Sequence, residues 1–81
     1  MNADDLRGKP VHVVFREQMH HGGIDVISMM GTCGGVTPQF VALNDVQKAY
    51  GPGDVDVTER LGIKGKSTMF HTRMVQFVFT T

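Results

Sequence analysis

The run Arg73–Thr81 (RMVQFVFTT) is apolar on both sides of a strand, with Val75, Phe77 and Phe79 alternating against Met74, Gln76 and Val78. Such a strand is expected to be largely buried, and its edge amides and carbonyls need partners. The sequence closes on this run at 81 residues, a length at which one core gives a thin stability margin. The remaining β-like and helical runs are too few to cover it. We therefore expect a small β unit that completes itself by joining other copies of the chain.

Hydrophobic residues make up 41% of the sequence, which argues against a disordered segment. Eight basic and eight acidic residues cancel to zero net charge. That speaks against a bulk electrostatic grip on nucleic acid and leaves room for a local patch. The single cysteine, Cys33, forbids an internal disulfide and suits a reducing compartment. The opening MNADDLRGKP is acidic and has no apolar stretch, so no signal peptide is expected. No run approaches a membrane span. A soluble, cytoplasmic protein without membrane contact is the expectation.

Asn2–Arg7 reads as a short helix, capped by Asn2, with Asp4 and Asp5 in its first turn and Gly8 at its end. Pro10 starts a strand with Val11, Val13 and Phe15 on one face and His12, Val14 and Arg16 on the other. Gly22-Gly23 marks a turn or bulge, and Ile24–Met30 a second strand. Gly31–Gly35 (GTCGG) reads as a flexible connection or strong bend. Thr37–Tyr50 is ambiguous. Thr37 as cap, Pro38 at the first helical position and Gly51 past the end favour a helix striped by Phe40, Leu43, Val46 and Tyr50. The rival is a strand Gln39–Asn44 followed by a loop. Gly51–Lys66 reads as an exposed excursion with a weak ribbon through Val55 and Val57, before closing strands at Ser67–Thr72 and Arg73–Thr81.

In this order the pieces resemble the Sm/LSm family, most closely its bacterial Hfq branch. The resemblance rests on Lys9-Pro10-Val11-His12-Val13-Val14-Phe15 as first strand, Gln39-Phe40-Val41 as the start of the third, and Ser67–Phe79 as a closing strand pair around a polar turn. It covers about two-thirds of the chain through short motifs. It implies a mainly β fold: a short N-terminal helix (2–8) and a strongly bent five-stranded antiparallel sheet forming a small open barrel, one domain over 1–81. Gly22 or Gly23 would bend the second strand, Gln39–Asn44 would be a strand, and 46–66 the variable loop between strands three and four. The chain departs from the family in its longer GTCGGVT join and in Thr72-Arg73, where Hfq has Lys-His and Sm proteins Arg-Gly.

What the resemblance implies for function is a homo-oligomeric ring of about five to seven subunits that binds single-stranded U-rich or A/U-rich RNA without catalysis, cofactor or DNA. By position, Gln39, Phe40, His71, Thr72 and Arg73 would contact RNA. Phe40 offers a stacking face, Gln39 a donor and acceptor for a base edge, and Arg73 a charge for phosphate. The strand Met74, Val75, Gln76, Phe77, Val78 and Phe79 would form the subunit interface. The plainer alternatives are that Phe40 is core and Arg73 a solvated turn residue.

Two other functions compete. A ring that has lost RNA and binds protein fits the zero net charge and the altered turn. A small metal or thiol enzyme would draw on His12, His20, His21, His71 and Cys33, but Cys-x-x-Cys and His-x-x-x-His spacings are absent, and adjacent His20 and His21 on a strand face opposite ways. No metal is expected, and Cys33 reads as a small buried residue rather than a nucleophile. Gly65-Lys66-Ser67-Thr68 imitates the end of a phosphate-binding loop, but Arg60 stands where the motif needs glycine and no βαβ unit surrounds it. Methionines such as Met29, Met30 and Met69 are expected to fill irregular core and contact space.

Overall fold

The computed structural model describes residues 6–81. Most of the expected Asn2–Arg7 helix lies outside the described residues. Leu6 and Arg7 belong to a turn in which the Lys9 N–H donates to the Leu6 carbonyl at 3.0 Å. Leu6 is buried. The turn is fastened to the second strand by two backbone bonds of 2.8 Å, Gly8 N–H to the Cys33 carbonyl and Cys33 N–H to the Lys9 carbonyl.

Beyond it the fold is mainly β, with six antiparallel strands and one short helix: β1 Pro10–His21, β2 Ile24–Val36, β3 Phe40–Gly51, β4 Val55–Asp56, α1 Thr58–Leu61, β5 Thr68–His71 and β6 Val75–Thr80. The sheet runs β4-β3-β2-β1-β6, and β5 also pairs with β3. One margin of β3 is therefore shared, by β5 along Phe40–Leu43 and by β4 at Tyr50–Gly51. Among the described residues β5 and β6 each pair with a single strand and leave an outer edge free. The core is built from Val11, Val13 and Phe15 of β1, Val26, Met29 and Cys33 of β2, Val41, Leu43, Val46 and Ala49 of β3, then Val57, Phe70 and Val75. The Phe15 and Phe70 rings meet edge to face at 4.8 Å.

Several expectations change. Gly22 and Gly23 are not the bend of the second strand; they are the two-residue β1–β2 turn, closed by the His21↔Ile24 pair, with φ of 56° and 78°. Both left-handed positions are what a hairpin turn of the primed kind requires. Nor is GTCGG a connection. It is the second half of β2, and its glycines let β3 approach closely: a Cβ on Gly31 would lie 2.8 Å from the Asn44 carbonyl oxygen, and one on Gly34 2.7 Å from the Asn44 amide nitrogen. Register slips between Met30 and Thr32 and between Cys33 and Gly35 mark the irregular stretch.

Thr37–Tyr50 is not a helix, and the strand outruns Gln39–Asn44. Val46–Gly51, expected in the 46–66 loop, continues β3, and the insert that follows carries β4 and the unforeseen α1. A bulge explains why the stretch mimicked a helix. Asp45 has φ of 47°, and the slip opposite Gly31 changes which side chains face inward. The buried residues therefore fall at Leu43, Val46 and Ala49, a three-residue spacing usual for helices. The insert is also not wholly exposed, since Val57 and Thr58 are buried against β3.

The closing strand departs from the expected alternation. Val75 is buried, yet Phe77 and Phe79 are 50% and 49% exposed. The cause is a bulge at Gln76. The pairs Val14↔Phe77 and Phe15↔Val75 skip that residue, so Val75 and Val78 turn to the core while Phe77 and Phe79 turn outward. The two outward rings stack on each other at 5.5 Å and 28°.

Candidate nucleic-acid interface

The five residues assigned to RNA converge where two tight turns dock. The first turn links β2 to β3. The Thr37 hydroxyl accepts from the N–H groups of Gln39 (3.2 Å) and Phe40 (2.9 Å), and the Thr37 N–H donates to the Phe40 carbonyl at 2.8 Å. Thr37 and Pro38, which read locally as a helix start, thus build a hairpin turn, because a threonine oxygen serves a turn's amides as well as a helix's. The second is the 3-10 turn Thr72–Met74 between β5 and β6. Its Thr72 N–H donates to the Gln39 carbonyl at 2.9 Å and its Thr72 hydroxyl to the Pro38 carbonyl at 2.8 Å.

The Phe40↔His71 pair joins the two turns as the first rung of β3 and β5. Their rings meet edge to face at 5.6 Å. Phe40 is 41% exposed, so it is not a core residue. The Arg73 N–H donates to His71 Nδ1 at 3.3 Å. Gln39 and Arg73 are exposed. An aromatic ring, an amide, an imidazole and a guanidinium therefore share one surface, held by the Thr72 bonds, and the Arg73 and Gln39 side chains make no hydrogen bond among the described residues. That inventory suits stacking, base-edge hydrogen bonding and phosphate contact.

The metal-ligating side chains do not gather. His20 Nδ1 pairs with Asp25 at the β1–β2 tip, where Gln18 also donates to Asp25 at 3.3 Å. Cys33 is buried, and no three of His, Cys, Asp and Glu stand together among the described residues. His12 faces Tyr50, ring centroids 6.0 Å apart, and its Nε2 is buried with no hydrogen-bond partner among the described residues.

A second polar cluster anchors the insert. Thr58 donates through its hydroxyl and N–H to Asp56, while its hydroxyl accepts from the Ala49 N–H at 2.9 Å. Lys48 reaches the other Asp56 oxygen at 3.0 Å. The Thr58 donors, and then Lys48, hold the Asp56 carboxyl well below the usual range, and Asp56 raises Lys48 in turn. Sequence reading passed over this Asp-x-Thr pair, whose signal was a carboxylate two residues before a threonine.

Among the described residues no helix is long and apolar enough to cross a membrane. No family model matches the chain, and neither a curated protein nor a solved structure matches it at a significant level.

Proposed function

We propose that this protein is an Sm-like, non-catalytic chain that assembles into a homo-oligomeric ring and binds single-stranded RNA, U-rich or A/U-rich, at the docked turns. The observation that carries this is the bonding of Thr72 to Pro38 and Gln39, which gathers Gln39, Phe40, His71, Thr72 and Arg73 into one surface. Self-association is supported by the free edges of β5 and β6 and by where exposed apolar side chains fall. Among the described residues the large ones are Phe40, Met69, Met74, Phe77, Phe79 and Val55, and all but Val55 lie on β5, β6, the turn between them or the β3 end beside β5. Unlike edges on one chain suit head-to-tail pairing that closes by rotation. Repetition of Arg73 around a ring concentrates positive charge that a single neutral chain lacks.

Native mass spectrometry combined with fluorescence anisotropy on labelled oligo-U and oligo-A tests both halves. A closed oligomer with salt-sensitive binding is expected. A monomer at micromolar concentration would overturn assembly; a correctly assembled ring that binds neither oligonucleotide at low salt would overturn RNA binding. The latter result would favour a ring that binds protein instead.

A further inference from the structure

We infer that the groove between the far end of β1 and the Thr72–Met74 turn is a second nucleotide subsite, one that takes a phosphodiester between Arg16 and Arg73 and an adjoining base on Met19 and Met74. This rests on the single-stranded RNA reading above and extends it to residues outside the docked turns.

The groove exists because β1 leaves its neighbours. Pairing with β6 ends at Phe15↔Val75. Pairing with β2 breaks after Val14↔Ser28 and resumes only at Met19↔Val26. Among the described residues Arg16–Gln18 therefore have no partner strand on either side, and the Thr72–Met74 turn enters β6 next to the last β1–β6 pair. An open groove of about 420 Å³ lies between this arm and the turn. That volume falls in the ordinary range for a small-ligand pocket, about 300–1,000 Å³.

Its lining has the chemistry of a nucleotide. Arg16 and Arg73 both line the groove, and neither guanidinium makes an ion pair among the described residues. His20 lines it too, but its Nδ1 is engaged by Asp25. A guanidinium fork matches two phosphate oxygens, and two forks facing one space favour an anion. Met19 is half-buried and packed on the core, and Met74 is 38% exposed, so two polarisable thioethers contribute apolar lining. Glu17 is the one carboxylate in the lining; it opposes any anion and tempers the affinity. Arg73 belongs to both places, since its N–H is held by His71 while its side chain lines the groove. A base stacked at Phe40 would thus be followed by a phosphate at Arg73 and Arg16.

The test is anisotropy of fluorescein-labelled oligo-U against the wild-type oligomer, Arg16→Ala, Glu17→Gln and Arg73→Ala over a salt series. One single-strand phosphate contact releases about 0.7 counterion, so Arg16→Ala should weaken binding about fivefold at about 0.1 M salt and lower the salt slope by about 0.7. Glu17→Gln should tighten binding. Both sites are exposed, so native mass should not change. If Arg73→Ala weakens binding while Arg16→Ala and Glu17→Gln match wild type in affinity and slope, the groove is overturned and the RNA interface stands. If the assembled wild type binds no oligo-U at low salt, both fall.

Discussion

Thr72 and Pro38 stand 34 positions apart, and the hydroxyl of one donates to the carbonyl of the other at 2.8 Å. That single bond crosses from the closing turn to the opening of β3. Thr72→Val keeps the shape and removes it. The Thr72 N–H bond to Gln39 survives, so the fold should lose only about 0.5–1.5 kcal/mol in urea unfolding. Oligo-U affinity should fall as well, because Arg73 and Phe40 lose their fixed spacing. Unaltered affinity would show that the turns need not be locked together.

Phe40 separates surface from core in one substitution. At 41% exposure, Phe40→Ala should cost well under the ~3–5 kcal/mol typical of a buried phenylalanine. Loss of base stacking should weaken oligo-U binding by about 1–3 kcal/mol, and Phe40→Tyr should restore it. Equal losses of stability and binding would mean that the ring is structural.

Asp56 gives the fold an acid dependence of known sign. Its native carboxyl titrates below the ordinary value of 3.8, so its contribution is present above that value and disappears as pH falls through the acid range. Asp56→Asn should therefore flatten the loss of urea stability seen in wild type below about pH 4. Identical pH profiles for the two proteins would discredit the Thr58–Asp56–Lys48 anchor.

Two glycines of β2 should respond differently to the same methyl group. Gly31→Ala drives a Cβ into the backbone oxygen of Asn44, which cannot move without breaking the β2–β3 ladder. A loss of about 1–3 kcal/mol is expected in thermal or urea unfolding. Gly34→Ala meets the end of the Asn44 side chain, which can rotate away, so its cost should be smaller. A larger loss at Gly34 would contradict the packing described.

Phe77 and Phe79 test assembly apart from folding. Both point outward from β6, so Phe77→Ser with Phe79→Ser should leave circular dichroism intact while shifting native mass toward the monomer. Retention of the oligomer would move the interface elsewhere.

The strands that sequence revealed were those with intact alternation, such as Val11, Val13 and Phe15. Three others were misread in extent or in facing, for separate physical reasons. The second half of β2 has few side chains to display a period, because Gly31 and Gly34 are needed for close approach. In β3, the bulge at Asp45 turned a strand's inward residues into a helix-like spacing. In β6, Gln76 broke the count, so residues read as one face lie on two. The docked turns were legible only through resemblance, since no local rule links position 39 to position 72. The far end of β1 carried no such motif: Arg16 and Met19 acquire their meaning from a register slip that sequence does not announce.

β3 holds β5 with its first residues and β4 with its last. The docked turns and the insert thus hang from one rail at separate stations. The exposed residues of the insert, such as Asp54, can change while Phe40 and His71 keep their rung, whereas Val57 is fixed by the core. The insert is a place where such a chain could acquire new partners without disturbing the surface that it already presents.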